Sequence, residues 1–292
     1  MIAANDGKDL PTPSALQNTR LWISARLEAA DRDALFRVCD DIRAVNVGTD
    51  LLRQRTTTND LYILLDGWAA RYRLMEDGSR HIRALALPGD ICNVDALRFD
   101  ALDYGVMMLS SGTVAVLPRC RADALFAARP AISYAFWSLA LAENSILAEW
   151  SASIGRRSAQ QRVAHFLCEL FVRLTAIGEA EGLAFDLPLT QEQIGDSLGL
   201  TGVHVNRTIN SLRVMGLVTV HHRRVTIHGW SELSALCGFR PAYLRLETID
   251  EQFARTIPLT GAYGKTRLER AARPAFNPSA TSATSATSAP SG

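Results

Sequence analysis

The sequence predicts an α+β fold in three parts: an N-terminal antiparallel β-roll, one long helix and a C-terminal winged helix-turn-helix. Three observations lead there. Short β-type runs separated by turn signals fill residues 45–118. After Pro130 a narrow apolar stripe continues for about six helical turns. Further on, residues 197–231 contain no Asp or Glu, yet they carry Arg207, Arg213, Arg223, Arg224, His204, His221, His222 and His228.

At 292 residues the chain has room for two domains. Its 31 Lys and Arg balance 30 Asp and Glu, so a net charge of +1 exerts no global pull towards nucleic acid or anionic lipid, and any basic footprint must be local. The five cysteines are scattered and never paired at metal-ligand spacing, which speaks against structural disulfides and cysteine-ligated zinc. The N-terminus lacks an apolar core of signal-peptide length and no run is long and apolar enough to span a bilayer. A soluble, cytoplasmic protein without membrane contact is expected.

Taken in order, residues 1–20 are polar and proline-bearing and read as a flexible arm. The β-roll domain is assigned to 21–129: Leu21, Leu27, Leu35 and Val38 suggest short helices at its start, then LYILLDGWAARYRL, RHIRALALPGD and VMMLSSGTVAVLP alternate as strands. Asp77-Gly78 marks a hairpin and Asp66-Gly67 a weaker turn. Residues 130–156 form the long helix, whose Ile132, Phe136, Leu139, Ile146 and Trp150 recur at three- and four-residue steps. Such a stripe fits either a core helix or the seam of a two-stranded coiled coil, and its length favours the seam. The winged domain is assigned to 157–238, opening with the helix SAQQRVAHFLCELFVRLTAIG. Residues 239–292 are an extension whose ATS repeat predicts disorder from about residue 274. Residues 252–273 are basic and read first as a solvated linker, second as a weak DNA contact.

The winged domain carries the functional signal. Thr190-Gln191-Glu192-Gln193 fits a capping box, Gly199 can take the positive φ that closes a helix, and Thr201 can cap the next one after a short turn. On that second helix Val205, Ile209 and Leu212 fall on one side and face the protein. Val203, Arg207, Asn210 and Val214 fall opposite, flanked by His204, Asn206 and Arg213. A recognition helix reads bases with its N-terminal half, so Val203, His204, Asn206 and Arg207 are the candidates for base edges. Arg207 suits guanine O6 and N7, Asn206 adenine, and Val203 a thymine methyl. The hairpin LVTVHHRRVTI places His222, Arg223 and Arg224 at a wing tip, where Arg223 and Arg224, with Arg213, suit phosphates. Thr190, Gln191 and Thr201, at the helix starts, complete the candidate DNA-contacting set.

With these residues the chain resembles the Crp/Fnr family of bacterial transcription regulators over residues 25–245. LTQEQIGDSLGLTGVHVNRTINSLRVMGLV is similar to the family's helix-turn-helix signature, and GWAARYRLMEDGSRHIRALALPGDI to the glycine-rich heart of its cyclic-nucleotide-binding β-roll. The resemblance implies a homodimer sealed along the helix after Pro130, two recognition helices in successive major grooves of a palindromic operator about 34 to 36 Å apart, and RNA polymerase as a partner. It also points to Gly89 and Asp90 as effector-pocket residues. Departures matter equally. Where cyclic-AMP-binding members carry the Arg-Ser that holds the phosphate, this chain reads Ala101-Leu102-Asp103-Tyr104. Leu102 cannot pair a phosphate and Asp103 repels one, so cyclic nucleotide binding is not expected. No cysteine precedes Cys39, so no iron-sulfur cluster is expected. His81 and Cys92 are the conceivable haem ligands, and haem is not expected either. Cys168 reads as a buried packing residue before a redox thiol. Family members that read a GTGA-type half-site carry Arg and Glu where this chain has Gly202 and Val203, so its operator should differ there. The competing reading is a small-molecule receptor or adaptor whose helix-turn-helix makes only protein contacts. No catalytic or metal motif stands out, so an enzyme is not expected.

Overall fold

A computed structural model describes Leu21 and residues 27–246. The expected arm and the repeat-bearing tail with its basic segment lie outside the described residues. Helix α1 (Ala29–Val38) starts with a reciprocal cap between Glu28 and Asp31. The buried Asp31 then pairs with Arg129 at 3.1 Å, tying this helix to the approach to the long one.

Seven strands follow: β1 (Asp41–Val45), β2 (Asp50–Leu52), β3 (Asp60–Asp66), β4 (Ala69–Leu74), β5 (Arg80–Ala86), β6 (Gly105–Met108) and β7 (Gly112–Pro118). They form two antiparallel sheets, β1-β7-β3 and β2-β6-β4-β5. The Asp77-Gly78 turn joins β4 to β5, with Gly78 at φ 80° and Asp77 Oδ1 accepting from Ser79 N–H at 2.9 Å. Between the sheets lies an apolar interior built from Leu64, Val114, Val116, Ala69, Val106 and Met108. Helix α2 (Arg119–Ala128) and the 27-residue α3 (Pro130–Arg156) follow.

Helix α3 corrects the expected seam. Ile132, Phe136 and Leu139 are buried against Leu61, Ile63, Ala115 and Leu117 of the β1-β7-β3 sheet. Ile146 and Trp150 are buried in the core of the winged domain. All five stripe residues therefore serve the protomer's own cores and are closed to a second copy. The stripe has the right period, but a second apolar line runs along the other side of the helix: Tyr134, Trp137 and Leu141 are 62–69% exposed, and Asn144 and Ala148 continue the same three- and four-residue spacing.

After α3, helix α4 (Ala159–Ala176) is opened by a Ser158–Gln161 capping box. Strands β8 (Ala180–Glu181) and β9 (Ala184–Asp186) precede helices α5 (Gln191–Leu198) and α6 (Gly202–Val214). The wing is the hairpin β10 (Val218–His221) and β11 (Arg224–Ile227), and it belongs to a four-stranded sheet, β10-β11-β9-β8. Helix α7 (Trp230–Cys237) and a 3-10 turn at Pro241–Leu244 close the described chain. The winged core is continuous with the outer face of the roll, since Ala70, Tyr72, Ile82, Leu85 and Met107 join Phe166, Leu170 and Phe171 in one apolar cluster. The roll and the winged domain are thus packed together, not strung on a linker.

A buried polar relay crosses that junction. Arg173 of α4 donates through Nη2 to Leu85 O and to Asp90 Oδ2, both at 2.9 Å, and its Nη1 lies 3.5 Å from Glu169 Oε1. Glu169 Oε2 accepts from Trp150 Nε1 at 2.9 Å and from Tyr243 O–H at 2.8 Å. The start of the extension is therefore structural: Phe239, Pro241 and Leu244 are buried and Tyr243 stacks on His165, ring centroids 5.7 Å apart.

Candidate nucleic-acid interface

The interface is built from local caps upward. Gln193 N–H donates to Thr190 Oγ1 at 3.2 Å and Thr190 N–H donates back to Gln193 Oε1 at 2.8 Å. Gly199 ends α5 at φ 64°. A Cβ on Gly195 would run into the Leu200 carbonyl, so this glycine permits the tight crossing of the turn over α5. Thr201 Oγ1 accepts from His204 N–H at 3.2 Å and starts α6. Val205, Thr208 and Leu212 are buried while Ile209 is half-buried, so the helix is seated as its spacing requires.

The opposite face is open. Val203, His204, Asn206, Arg207, Asn210, Arg213 and Val214 are exposed, as are Thr190, Gln191 and Thr201 at the helix starts. Arg207, Arg213 and Arg223 make no ion pair among the described residues, so three full positive charges are available to an anionic partner. Beside α6 a groove of about 570 Å³ runs from His204, Arg207 and Ser211 to the first turn of α4 at Ser158 and Gln160. Gln160 Nε2 donates to Ser211 Oγ at 3.1 Å and ties α4 to the back of α6.

One of the expected roles is corrected. Arg224 is bound within the protomer, Nη2 to Glu181 at 2.6 Å and Nη1 to Asp186 at 3.1 Å, so its charge is already offset by two acids on the neighbouring strands. The turn itself consists of His222 and Arg223, at φ 47° and 64°. Asn206 bridges two neighbours: its Nδ2 donates to Gln191 Oε1 at 3.1 Å and its Oδ1 accepts from Asn210 Nδ2 at 2.8 Å.

Comparison with known proteins fits this geometry. Residues 161–236 match the Crp-like helix-turn-helix domain and residues 42–129 the cyclic nucleotide-binding domain. The nitrogen fixation regulation protein FixK of Azorhizobium caulinodans is 30% identical over 181 residues, which cover 61% of this chain and 71% of that protein. This chain belongs to the Crp/Fnr family. The fumarate and nitrate reduction regulatory protein of Vibrio cholerae is 25% identical over 220 residues, 75% of this chain and 88% of that one. Among solved structures, FixK2 from Bradyrhizobium japonicum superposes with a TM-score of 0.62 at 23% identity, covering 67% of this chain and 96% of its own, and so shares the fold.

As a Crp/Fnr protein the chain is a transcription regulator with a DNA-binding helix-turn-helix and a sensor domain, and regulators of this family bind DNA and are dimeric. The adaptor reading is not favoured. Asp90 is buried, and its Oδ2 accepts from Leu87 N–H at 3.0 Å as well as from Arg173. Gly89, at φ 90°, shapes that turn. The pair builds the domain junction. Inside the roll, Arg71 donates to Cys92 O at 2.5 Å and Ile91 O at 2.6 Å and pairs with Glu143 of α3, while Arg83 lies 4.6 Å over the buried Tyr104 ring. Burial pushes the Cys92 thiol up to about 12. His81 Nδ1 lies 3.1 Å from Asp196 O of α5, and Cys168 is fully buried. Among the described residues no single helix is long and apolar enough to cross a membrane, and no three His, Cys, Asp or Glu side chains gather as a metal-binding group.

Proposed function

We propose that this Crp/Fnr regulator is a cytoplasmic homodimer that binds a palindromic duplex, laying α6 of each protomer in successive major grooves. The observation that carries the reading is the open face of α6 and the wing, where Arg207, Arg213 and Arg223 stand exposed without a partner among the described residues. Val203, His204 and Arg207 meet base edges, while Arg213, Arg223 and the helix starts at Thr190, Gln191 and Thr201 meet phosphates. The dimer seam is the exposed line Tyr134, Trp137, Leu141 and Ala148 of α3. RNA polymerase is the partner through which bound protein acts, and no catalytic residue is assigned.

In this reading the roll takes no cyclic nucleotide by the phosphate-anchored route. Leu102, at the anchor position, is buried and uses its carbonyl to accept from Arg55 N–H at 2.7 Å, and the neighbouring Asp103 carboxylate is 3.8 Å from Arg83. The Arg71 guanidinium is spent on two carbonyls and Glu143. Neither an iron-sulfur cluster nor haem is proposed.

Selection from random duplexes at low salt tests the function. The expected product is a two-fold symmetric sequence with half-sites one turn apart, bound less tightly as salt rises. Absence of any enriched sequence would refute it.

A further inference from the structure

We infer that Asn206 is a positioning residue that holds the amides of Gln191 and Asn210 for DNA. The inference rests on the reading of α6 as the groove-facing helix. A carboxamide offers one oxygen and two N–H groups, and the bidentate adenine contact needs the oxygen and one N–H together. Asn206 Oδ1 accepts from Asn210 Nδ2 at 2.8 Å and one of its N–H groups donates to Gln191 Oε1 at 3.1 Å, so half of its hydrogen-bonding capacity bridges its two neighbours.

The ends of this three-amide chain are equipped for DNA. Gln191 keeps both N–H donors, which suit a phosphate because phosphate oxygens only accept. Asn210 keeps its oxygen and one N–H, the pair that adenine requires, and it lies on the outermost line of α6 with Val203 and Arg207. Reversing all three amides leaves Asn206 in the middle, so its role does not depend on which end of each amide is the oxygen.

Gly202 lies one turn before Asn206 on the same side of α6. A Cβ there would stand at ordinary van der Waals distance from the first turn of α5, 3.4 Å from Glu192 N and 3.5 Å from the Gln191 carbonyl carbon, so a small side chain at 202 would fit and the clamp is made by the Asn206 amide itself.

The test compares base preferences on the selected duplex and on its single-base-pair variants, using full-length protein. Asn210→Ala should erase preference at one pair per half-site. Asn206→Ala should weaken that same preference about threefold to tenfold, and the double variant should lose no more than Asn210→Ala alone, within about twofold. Asn206→Asp, which can accept from both neighbours, should keep the profile while lowering affinity for all sequences alike. The inference is overturned if Asn206→Ala erases preference at a pair that Asn210→Ala leaves intact, if the two losses multiply, or if Asn206→Ala changes nothing. Arg207→Ala is the control: if it weakens binding while Asn206→Ala does not, the clamp fails and the DNA reading stands. Should all variants bind like the wild type, the reading of α6 itself has failed.

Discussion

Replacing Arg173 by Met probes the junction between the sensor and the DNA-binding half. The guanidinium is 4% exposed and faces the carboxylates of Asp90 and Glu169, themselves 7% and 0% exposed. Met fills a similar length but takes the Arg173 guanidinium away from two buried acids. Removing one partner of a buried pair costs about 3 to 5 kcal/mol, a large share of the roughly 5 to 15 kcal/mol by which a domain is stable. Asp90 still accepts from Leu87 N–H, and Glu169 from Trp150 and Tyr243, so the lower end, about 3 kcal/mol, is expected here. Urea unfolding monitored by tryptophan fluorescence gives the number, since Trp150 touches the relay and Trp68 and Trp230 report the two halves. With the link cut, the roll and the winged domain should also cease to unfold in one transition. A variant that unfolds in one transition within about 0.5 kcal/mol of the wild type would refute the claim that this relay holds the halves together.

His165 should make stability acid-sensitive. Burial, and after it the Arg157 guanidinium, pulls its pKa from 6.5 down to about 3; the nearby Glu149 carboxylate, 3.3 Å away, is engaged by Arg157 at 2.7 Å. The unfolded chain then binds a proton that the folded chain refuses. The stabilisation is complete above pH 6.5 and is lost as pH falls towards 3, by about 2 kcal/mol on reaching pH 5. His165→Phe, which keeps the ring packing, should flatten denaturation curves over that range. Arg223→Gly should raise stability by about 0.5 to 1 kcal/mol by relieving a positive φ at the wing tip, and should lower the salt slope of DNA binding by nearly one per protomer. Trp137→Glu should leave the protomer folded, because the ring is 62% exposed, and should yield monomers in light scattering.

The DNA-facing half is legible in the sequence because its signals are local. The Thr190–Gln193 box, Gly199 and the Thr201 cap each involve residues within a turn of one another, and the spacing of Val205 and Leu212 orients the helix. What fails is whatever depends on distant partners. Arg224 is committed to acids 43 and 38 residues away, and Asp90 to an arginine 83 residues away, so neither pairing has a signature in its own neighbourhood. Strands β8 and β9, two and three residues long, are too short to show alternation and exist through pairing with each other and with β11. On α3 the period is correct, but it cannot tell an inward apolar line from an outward one when both are present. Asn206 shows the same limit on a smaller scale: its residue type suits a base, and only the approach of Gln191, 15 residues earlier, shows its amide to be in use.

The proposed function requires α6 to be the surface that reads DNA, and Arg207→Ala on the selected duplex puts that requirement to the test. Titrations of wild type and variant against every single-base-pair change of one half-site should show a loss of about 1 to 3 kcal/mol on the original sequence and a preference erased at one pair. An unchanged affinity and an unchanged profile would contradict it.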